Sequence, residues 1–188
     1  MWSLSGHGLK DKTVLVGLPG SHSKWARLEN GVITTFKTFM TGELFELLTT
    51  HSILSLSPSK PATSSIDVAE PETDDTELAH FLDGVHSGHS RGSELAHLAF
   101  MTRTKALFNP SVSQAALRGY LSGVLIGAEL CGAGVAAQRC DVWLVGNEKL
   151  CERYMVALEA LGLKNVFTDT AEACVVSGAL SILSESTE

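Results

Sequence analysis

The sequence has no surplus of positive charge, and this excludes one large class of partners. Its 188 residues carry a formal net charge of -7, which argues against a nucleic-acid-binding surface, because such a surface needs a basic patch. The sequence predicts neither a Gly-x-Ser-x-Gly nucleophile elbow nor a paired cysteine and histidine nucleophile, so hydrolase chemistry is poorly supported. An anionic ligand is still compatible with this charge, because local groups rather than the global field can attract it.

Cysteine is scarce, and the sequence predicts neither a leader nor a membrane-spanning segment. The four cysteines include no Cys-x-x-Cys pair, which predicts reduced thiols in a cytoplasmic protein. The polar, glycine-rich start shows no signal peptide. The long apolar stretch over residues 120–137 contains Glu129 near its middle and is rich in glycine and alanine, so it predicts a buried helix rather than a membrane span. We expect its glycines to let a neighbouring backbone approach closely.

The hydrophobic pattern that is present predicts an α/β domain. Residues 55–76 are rich in serine, proline and acidic side chains and predict a surface or mobile segment. The predicted elements are strands 13–18, 24–28 and 32–39, a helix from Thr41, a helix from Glu77 that breaks at Gly84, a helix over 93–107, a long helix capped at Asn109-Pro110 and ending near 132–134, strand 141–145, helix 148–161, strand 164–167 and helix 171–183. This order is that of a ribonuclease-H-like half of the actin-like ATPase fold with a helical insertion.

Residues 19–25, Pro-Gly-Ser-His-Ser-Lys-Trp, follow the first predicted strand and collect several hydrogen-bond donors. Gly20 has no Cβ, so a tight turn there can present consecutive backbone N–H groups to an anion. Further donors come from the side chains of Ser21, His22, Ser23 and Lys24. A phosphate suits this set, but an ordinary β-hairpin turn with incidental polar residues fits it as well. We call residues 20–24 the candidate phosphate loop.

Several motifs in order resemble the 2-dehydro-3-deoxygalactonokinase family. They are Leu18 to Trp25, Thr38 to Leu44, His51-Ser52, Tyr120 to Glu129, the Gly146 turn with Leu150 and Tyr154, and Asp169-Thr170-Ala171 with Gly178. The resemblance runs from about residue 14 to residue 183, which is nearly the whole chain. It implies a sugar-acid kinase of the actin-like fold that transfers the γ-phosphate of ATP, with Mg²⁺, to the 6-hydroxyl of 2-dehydro-3-deoxy-galactonate in galactonate breakdown.

The resemblance also implies roles for particular residues. Residues Gly20, Ser21, His22, Ser23 and Lys24 would cradle the nucleotide phosphates. The turn Gly146-Asn147 matches the place where this fold contacts adenosine, and ligands generally gather at strand carboxyl ends and helix N-termini.

Three further groups are candidates for a functional role. The run Thr41-Gly42-Glu43 faces the sugar acid or a metal-bound water, or else it caps a helix and complements its dipole. Arg91 offers a bidentate fork for a substrate carboxylate. Glu129 is a functional carboxylate, or it pairs with Arg118 or with a backbone cap. For His80, His86 and His89 we expect a solvated loop and no metal site, because no fourth ligand stands at zinc-like spacing.

The sequence departs from the family at its start. The family's Asp-x-Gly-Thr-Thr hairpin and its Arg-Gly-Glu element do not occur, and residues 1–12 do not match. In the family these two motifs belong to a preceding half. The resemblance implies that this half holds the catalytic base and the metal-binding carboxylate, so the catalytic residues here are unknown. We expect residues 13–188 to be a C-terminal lobe that needs a missing N-terminal lobe or self-association. The alternative is an inactive nucleotide-binding or interaction remnant.

Overall fold

The structure, a computed structural model, describes residues 12–55, 74–137 and 140–176. The chain divides into two compact units, Met1–Met40 with Ala133–Glu188 and Thr41–Gly132. The predicted N-terminal segment 1–12 lies outside the described residues except for Lys12, and so does most of the predicted surface segment 55–76. Residues 74–76 of that segment are helical, as the start of a helix that begins at Asp74.

The first unit contains a five-stranded mixed sheet in the order β3-β2-β1-β4-β5. The strands are β1 Thr13–Leu18, β2 Ser23–Glu29, β3 Val32–Phe39, β4 Asp141–Val145 and β5 Val166–Asp169. Strands β1, β2 and β3 pair antiparallel, whereas β1, β4 and β5 run parallel. The structure therefore has the predicted antiparallel hairpins followed by a strand-helix-strand unit, and the predicted α/β class is confirmed.

The β2–β3 hairpin turns as the Asn-Gly pair predicts. Asn30 and Gly31 have positive φ angles of 54° and 79°, and Glu29 pairs directly with Val32 across the two-residue turn. A type I′ turn needs positive φ at both central residues, which asparagine and glycine tolerate best. The hairpin leaves β3 at the edge of the sheet, where its side chains are mostly exposed.

Alternate residues of the strands build two apolar faces, because successive side chains point to opposite sides of a strand. On one face Val14, Val16 and Trp143 cluster with Cys174, which belongs to the helical residues 171–176. On the other face Trp25 packs against helix α5, Glu148–Ala160, at a ring-centroid distance of 6.5 Å from Tyr154. The sheet of the first unit thus has helical residues on both faces.

The second unit is helical. It contains α1 Thr41–His51, α2 Asp74–Ser90, α3 Leu95–Phe108 and α4 Gln114–Ala133, with a short 3-10 turn at Gly92–Glu94. Helices α2 and α4 pack backbone to backbone. A Cβ on Gly123 would lie 2.1 Å from the Phe81 carbonyl oxygen, and one on Gly84 would lie 2.2 Å from that of Tyr120. The expectation that the α4 glycines admit a neighbouring backbone is confirmed.

Two predicted helix boundaries are wrong. Helix α2 continues through Gly84, because the absent side chain is used for packing on α4 and not for a turn. The long helix begins at Gln114, where the Ser113 hydroxyl accepts from the Ala116 N–H at 3.0 Å. Asn109 instead ends α3, as its N–H donates to the Lys105 carbonyl. Within the three described ranges, no helix is long and apolar enough to cross a membrane.

Candidate functional site

Two predicted site segments meet at one edge of the sheet in the first unit. Strands β1 and β4 are parallel neighbours, so the turn after Leu18 and the turn after Val145 leave the sheet at the same edge. The two turns are close in space, since a Cβ on Gly146 would lie 3.5 Å from the Pro19 carbonyl oxygen. The structure therefore brings the candidate phosphate loop and the Gly146-Asn147 turn together.

The candidate phosphate loop has an open side. Around Gly20 an added Cβ would meet no atom within 4 Å, and Ser21 and His22 are exposed. The Lys24 ammonium donates to the His22 carbonyl oxygen at 2.6 Å, which holds the positive charge over the loop. An anion that approaches Gly20 would therefore meet room, a cation and short polar side chains.

Ser23 has a different environment from the rest of the loop. Its side chain is fully buried, and its hydroxyl lies 3.3 Å from the Gly20 carbonyl oxygen and 3.2 Å from the Tyr154 hydroxyl. Ser23 thus bonds inward, to the loop backbone and to α5, instead of presenting a donor to solvent.

The Gly146-Asn147 turn starts α5. Asn147 is the N-cap, and its side-chain oxygen accepts from the Leu150 N–H at 3.2 Å. A Cβ on Gly146 would meet only ordinary van der Waals neighbours at 3.5 Å and beyond. Packing within the described chain therefore does not demand glycine at residue 146.

Thr41, Gly42 and Glu43 form the first turn of α1, in the second unit. The Thr41 hydroxyl donates to the Glu129 carboxylate, and both side chains are buried. Arg118, the partner predicted for Glu129, instead lies over the Phe45 ring at 5.2 Å. The buried carboxylate thus holds the start of α1.

Arg91 has a partner within the chain. Its Nε and Nη2 atoms donate to the two Glu94 carboxylate oxygens at 3.2 and 2.5 Å. This hydrogen bond raises the pKa of Arg91 and lowers the pKa of Glu94. The fork predicted to bind a substrate carboxylate is therefore occupied by an internal one, on an exposed surface of the second unit.

The histidines predicted in a solvated loop lie on a helix. His80, His86 and His89 belong to α2, which the continuation through Gly84 extends to Ser90. No group of three or more metal-ligating side chains occurs among the described residues. The pattern Gly-x-Ser-x-Gly at residues 88–92 is not a nucleophile elbow, because Ser90 ends α2 and donates to the His86 carbonyl at 2.7 Å.

A model of the 2-keto-3-deoxy-galactonokinase family matches residues 4–182. The chain belongs to this family. A Rhizobium meliloti protein named probable 2-dehydro-3-deoxygalactonokinase is 38% identical over 160 residues, which are 85% of this chain and 49% of that protein. The 2-dehydro-3-deoxygalactonokinase of Escherichia coli is 30% identical over 146 residues, covering 77% of this chain and 45% of its own.

A solved structure matches the fold as well. The crystal structure of a Sinorhizobium meliloti protein, described as a 2-dehydro-3-deoxygalactonokinase, superimposes with a TM-score of 0.77 at 35% identity. The match covers 94% of this chain and 55% of that one. The chain thus spans about half the length of the galactonokinase relatives that it matches.

Two residues of this family member matter more in the structure than the sequence suggested. Tyr154 was a marker of the resemblance only, yet its hydroxyl contacts the candidate phosphate loop. For Glu129 the sequence leaves open a functional carboxylate, a pair with Arg118 or a backbone cap, and in the structure its carboxylate accepts from the Thr41 hydroxyl. A span of 131 residues separates Ser23 from Tyr154, so no local spacing could pair them. A local signal is Trp25, because residues two apart in a strand lie on the same face and a large apolar side chain favours the buried one.

Proposed function

We propose that the first unit binds ATP as the nucleotide lobe of a kinase that phosphorylates 2-dehydro-3-deoxy-galactonate at its 6-hydroxyl. One observation carries the proposal: the candidate phosphate loop and the Gly146-Asn147 turn share one sheet edge, with Pro19 and Gly146 in van der Waals range. Ligands of α/β proteins bind at such strand carboxyl ends. The names of the relatives support the reaction and the substrate. On this proposal the unit is the ribonuclease-H-like half of an actin-like fold.

The residues present fit a polyphosphate. The space beside Gly20 is open, since an added Cβ would meet no atom within 4 Å, and the loop carries backbone N–H groups, the exposed Ser21 and His22 side chains and the Lys24 ammonium. The base would lie over Gly146, where the bare backbone permits close approach. When bound, ATP supplies the phosphoryl group. The role of Lys24 is to neutralise phosphate charge, and that of the loop is to fix the direction of the phosphates.

Mg²⁺ is part of the proposal, but the described residues do not form a site for it by themselves. No cluster of three metal-ligating side chains occurs among them. Mg²⁺ prefers substrate phosphates with one or two carboxylates, so it would enter with the nucleotide.

Catalysis, on this proposal, also needs the part of the relatives that these residues do not match. Phosphoryl transfer depends on positioning between two lobes, and the catalytic base is expected in the unmatched part. The alternative is a module that binds nucleotide without turnover. This alternative is supported by the coverage, since the chain matches only 49% and 45% of the two kinases.

Two measurements on the full chain test the proposal. Isothermal titration should detect ATP binding, and a coupled assay with ATP, MgCl₂ and 2-dehydro-3-deoxy-galactonate should detect little turnover. No ATP binding would overturn the nucleotide lobe. Fast turnover by this chain alone would confirm the kinase and overturn the need for a second half. Binding without turnover, even when the unmatched half of a relative is added, would favour the binding module.

A further inference from the structure

The candidate phosphate loop is tied to α5 by a buried pair of hydroxyls. Ser23 Oγ and the Tyr154 hydroxyl lie 3.2 Å apart, and their residues are 0% and 2% exposed. Ser23 Oγ also lies 3.3 Å from the Gly20 carbonyl oxygen. A line of contacts therefore runs from α5 through Ser23 to the glycine at the open side of the loop.

The chemistry of the three groups gives this line a direction. A carbonyl oxygen only accepts, and a hydroxyl has one proton to donate. The arrangement that satisfies all three has the Ser23 hydroxyl donating to Gly20 and the Tyr154 hydroxyl donating to Ser23. Removal of the Tyr154 hydroxyl would leave Ser23 without its donor in a buried place, where an unsatisfied polar group is costly.

Tyr154 is itself held firmly. Its ring packs near that of Trp25, and the Trp25 indole covers Gly17 so closely that a Cβ there would lie 2.8 Å from it. Tyr154 stands seven residues after the N-cap Asn147, which is about two helical turns along the same face of α5. The helix that carries the proposed adenosine contact therefore also carries the group that holds the candidate phosphate loop.

We propose that Tyr154 is a positioning residue for the nucleotide: its hydroxyl, acting through Ser23, sets the conformation of the candidate phosphate loop relative to the Gly146-Asn147 turn. The inference rests on the proposed function for the identity of the ligand. The effect of the Tyr154 hydroxyl on the loop conformation does not depend on the proposed function. The ligand class is a nucleoside triphosphate, whose phosphates and base contact the two segments that Tyr154 links.

The test compares Tyr154→Phe with Tyr120→Phe, the same change at the other tyrosine of the chain. Tyr120 is also buried and bonds Ser87, but it belongs to the second unit. Phenylalanine keeps the ring packing and removes only the hydroxyl. The measurements are amide hydrogen exchange of residues 20–24 by NMR, the urea midpoint, and the Kd for ATP.

We expect Tyr154→Phe to raise exchange at residues 20–24 and to weaken ATP binding roughly five- to tenfold, the ratio that one hydrogen bond is worth. Tyr120→Phe should change neither, and it should lower the urea midpoint, because it removes a buried hydrogen bond to Ser87. A Ser23→Ala change should add little to Tyr154→Phe, because both act on one contact. A purely structural role would instead raise exchange throughout the unit and leave the ATP Kd of the folded protein unchanged.

The outcomes separate the inference from the function beneath it. Unchanged loop exchange in Tyr154→Phe overturns the positioning role, whether or not ATP binds. A wild-type chain that binds no ATP overturns the proposed function, while loop exchange still decides what Tyr154 does. Faster loop exchange with an unaltered ATP Kd also overturns the positioning role, because the nucleotide would not depend on the loop conformation.

Discussion

Ser21 and Ser23 lie two residues apart in the same loop and meet opposite environments. Ser21 is exposed, whereas Ser23 is buried against α5. The sequence predicted both as phosphate donors, because residue type indicates what a side chain can donate but not which way it points. Only the fold brings Tyr154 to Ser23. The same holds for Arg91, because its guanidinium forms an ion pair with Glu94, three residues later, and not with a substrate.

Gly20→Ala tests the open side of the candidate phosphate loop. No atom lies within 4 Å of the added Cβ, so the free energy of unfolding should stay within about 1 kcal/mol of the wild type. The methyl group would fill the space that a phosphate needs, and ATP binding should weaken roughly tenfold or more, which corresponds to ~1.4 kcal/mol. Isothermal titration checks this, with Gly92→Ala in the second unit as the control. Equal ATP affinity in both variants would contradict the proposal that the phosphates bind beside Gly20.

Cys174 predicts a pH effect on stability. Burial, together with the hydrogen bond to Asp169, raises the pKa of its thiol from 9.0 to about 11. Its neutral form therefore stabilises the fold fully below pH 9, and this contribution is lost as the pH rises through 11. The free energy of unfolding in urea should differ between the wild type and Cys174→Ala, and this difference should narrow by about 1–2 kcal/mol between pH 8 and pH 11. Cys131→Ala, at an exposed cysteine, is the control, and a constant difference would refute the effect.

At the scale of elements, the sequence predicted the sheet better than the helices. The strands of the first unit and α5 have strong local signals, such as the Asn30-Gly31 turn and the Asn147 cap. The fifth strand lies at Val166–Asp169, two residues later than expected, because its pairing with β4 sets its bounds. In the second unit, a glycine in a helix looked like a break. Whether a glycine ends a helix or packs it depends on a neighbour that is remote in sequence.

Gly123→Ala tests the packing of α2 on α4. Its Cβ would lie 2.1 Å from the Phe81 carbonyl oxygen and 2.8 Å from the Val85 nitrogen, so the helices must move apart. We expect a loss of about 1–3 kcal/mol or more in the free energy of unfolding, typical of overpacking. Urea denaturation measures it. Gly92→Ala adds the same methyl in the same unit with its nearest neighbour at 3.8 Å, and a similar loss there would show that the close approach is not the cause.

At the scale of the whole molecule, the family is established and the activity is proposed. The match to the kinases covers most of this chain and about half of theirs, and the pattern of motifs made that relationship visible from the sequence. The catalytic base could not be predicted, because the resemblance implies that it lies in a part of the family that this chain does not match. Val32 and Phe36 on the edge strand are 64% and 70% exposed. Self-association or pairing with another lobe remains a prediction.

Ligand linkage offers a test on the intact chain. A ligand that binds only the folded state stabilises it by about 2.7 kcal/mol at a concentration one hundred times its Kd. For a chain of this size, that corresponds to a rise in Tm of roughly 5–11 °C. ATP should therefore raise the Tm of the wild type at saturating concentration, while Gly20→Ala at the same concentration should show a smaller rise. The sugar acid alone should shift the Tm less, because the first unit is proposed to bind the nucleotide. If ATP leaves the wild-type Tm unchanged at millimolar concentration, these residues do not form a nucleotide lobe.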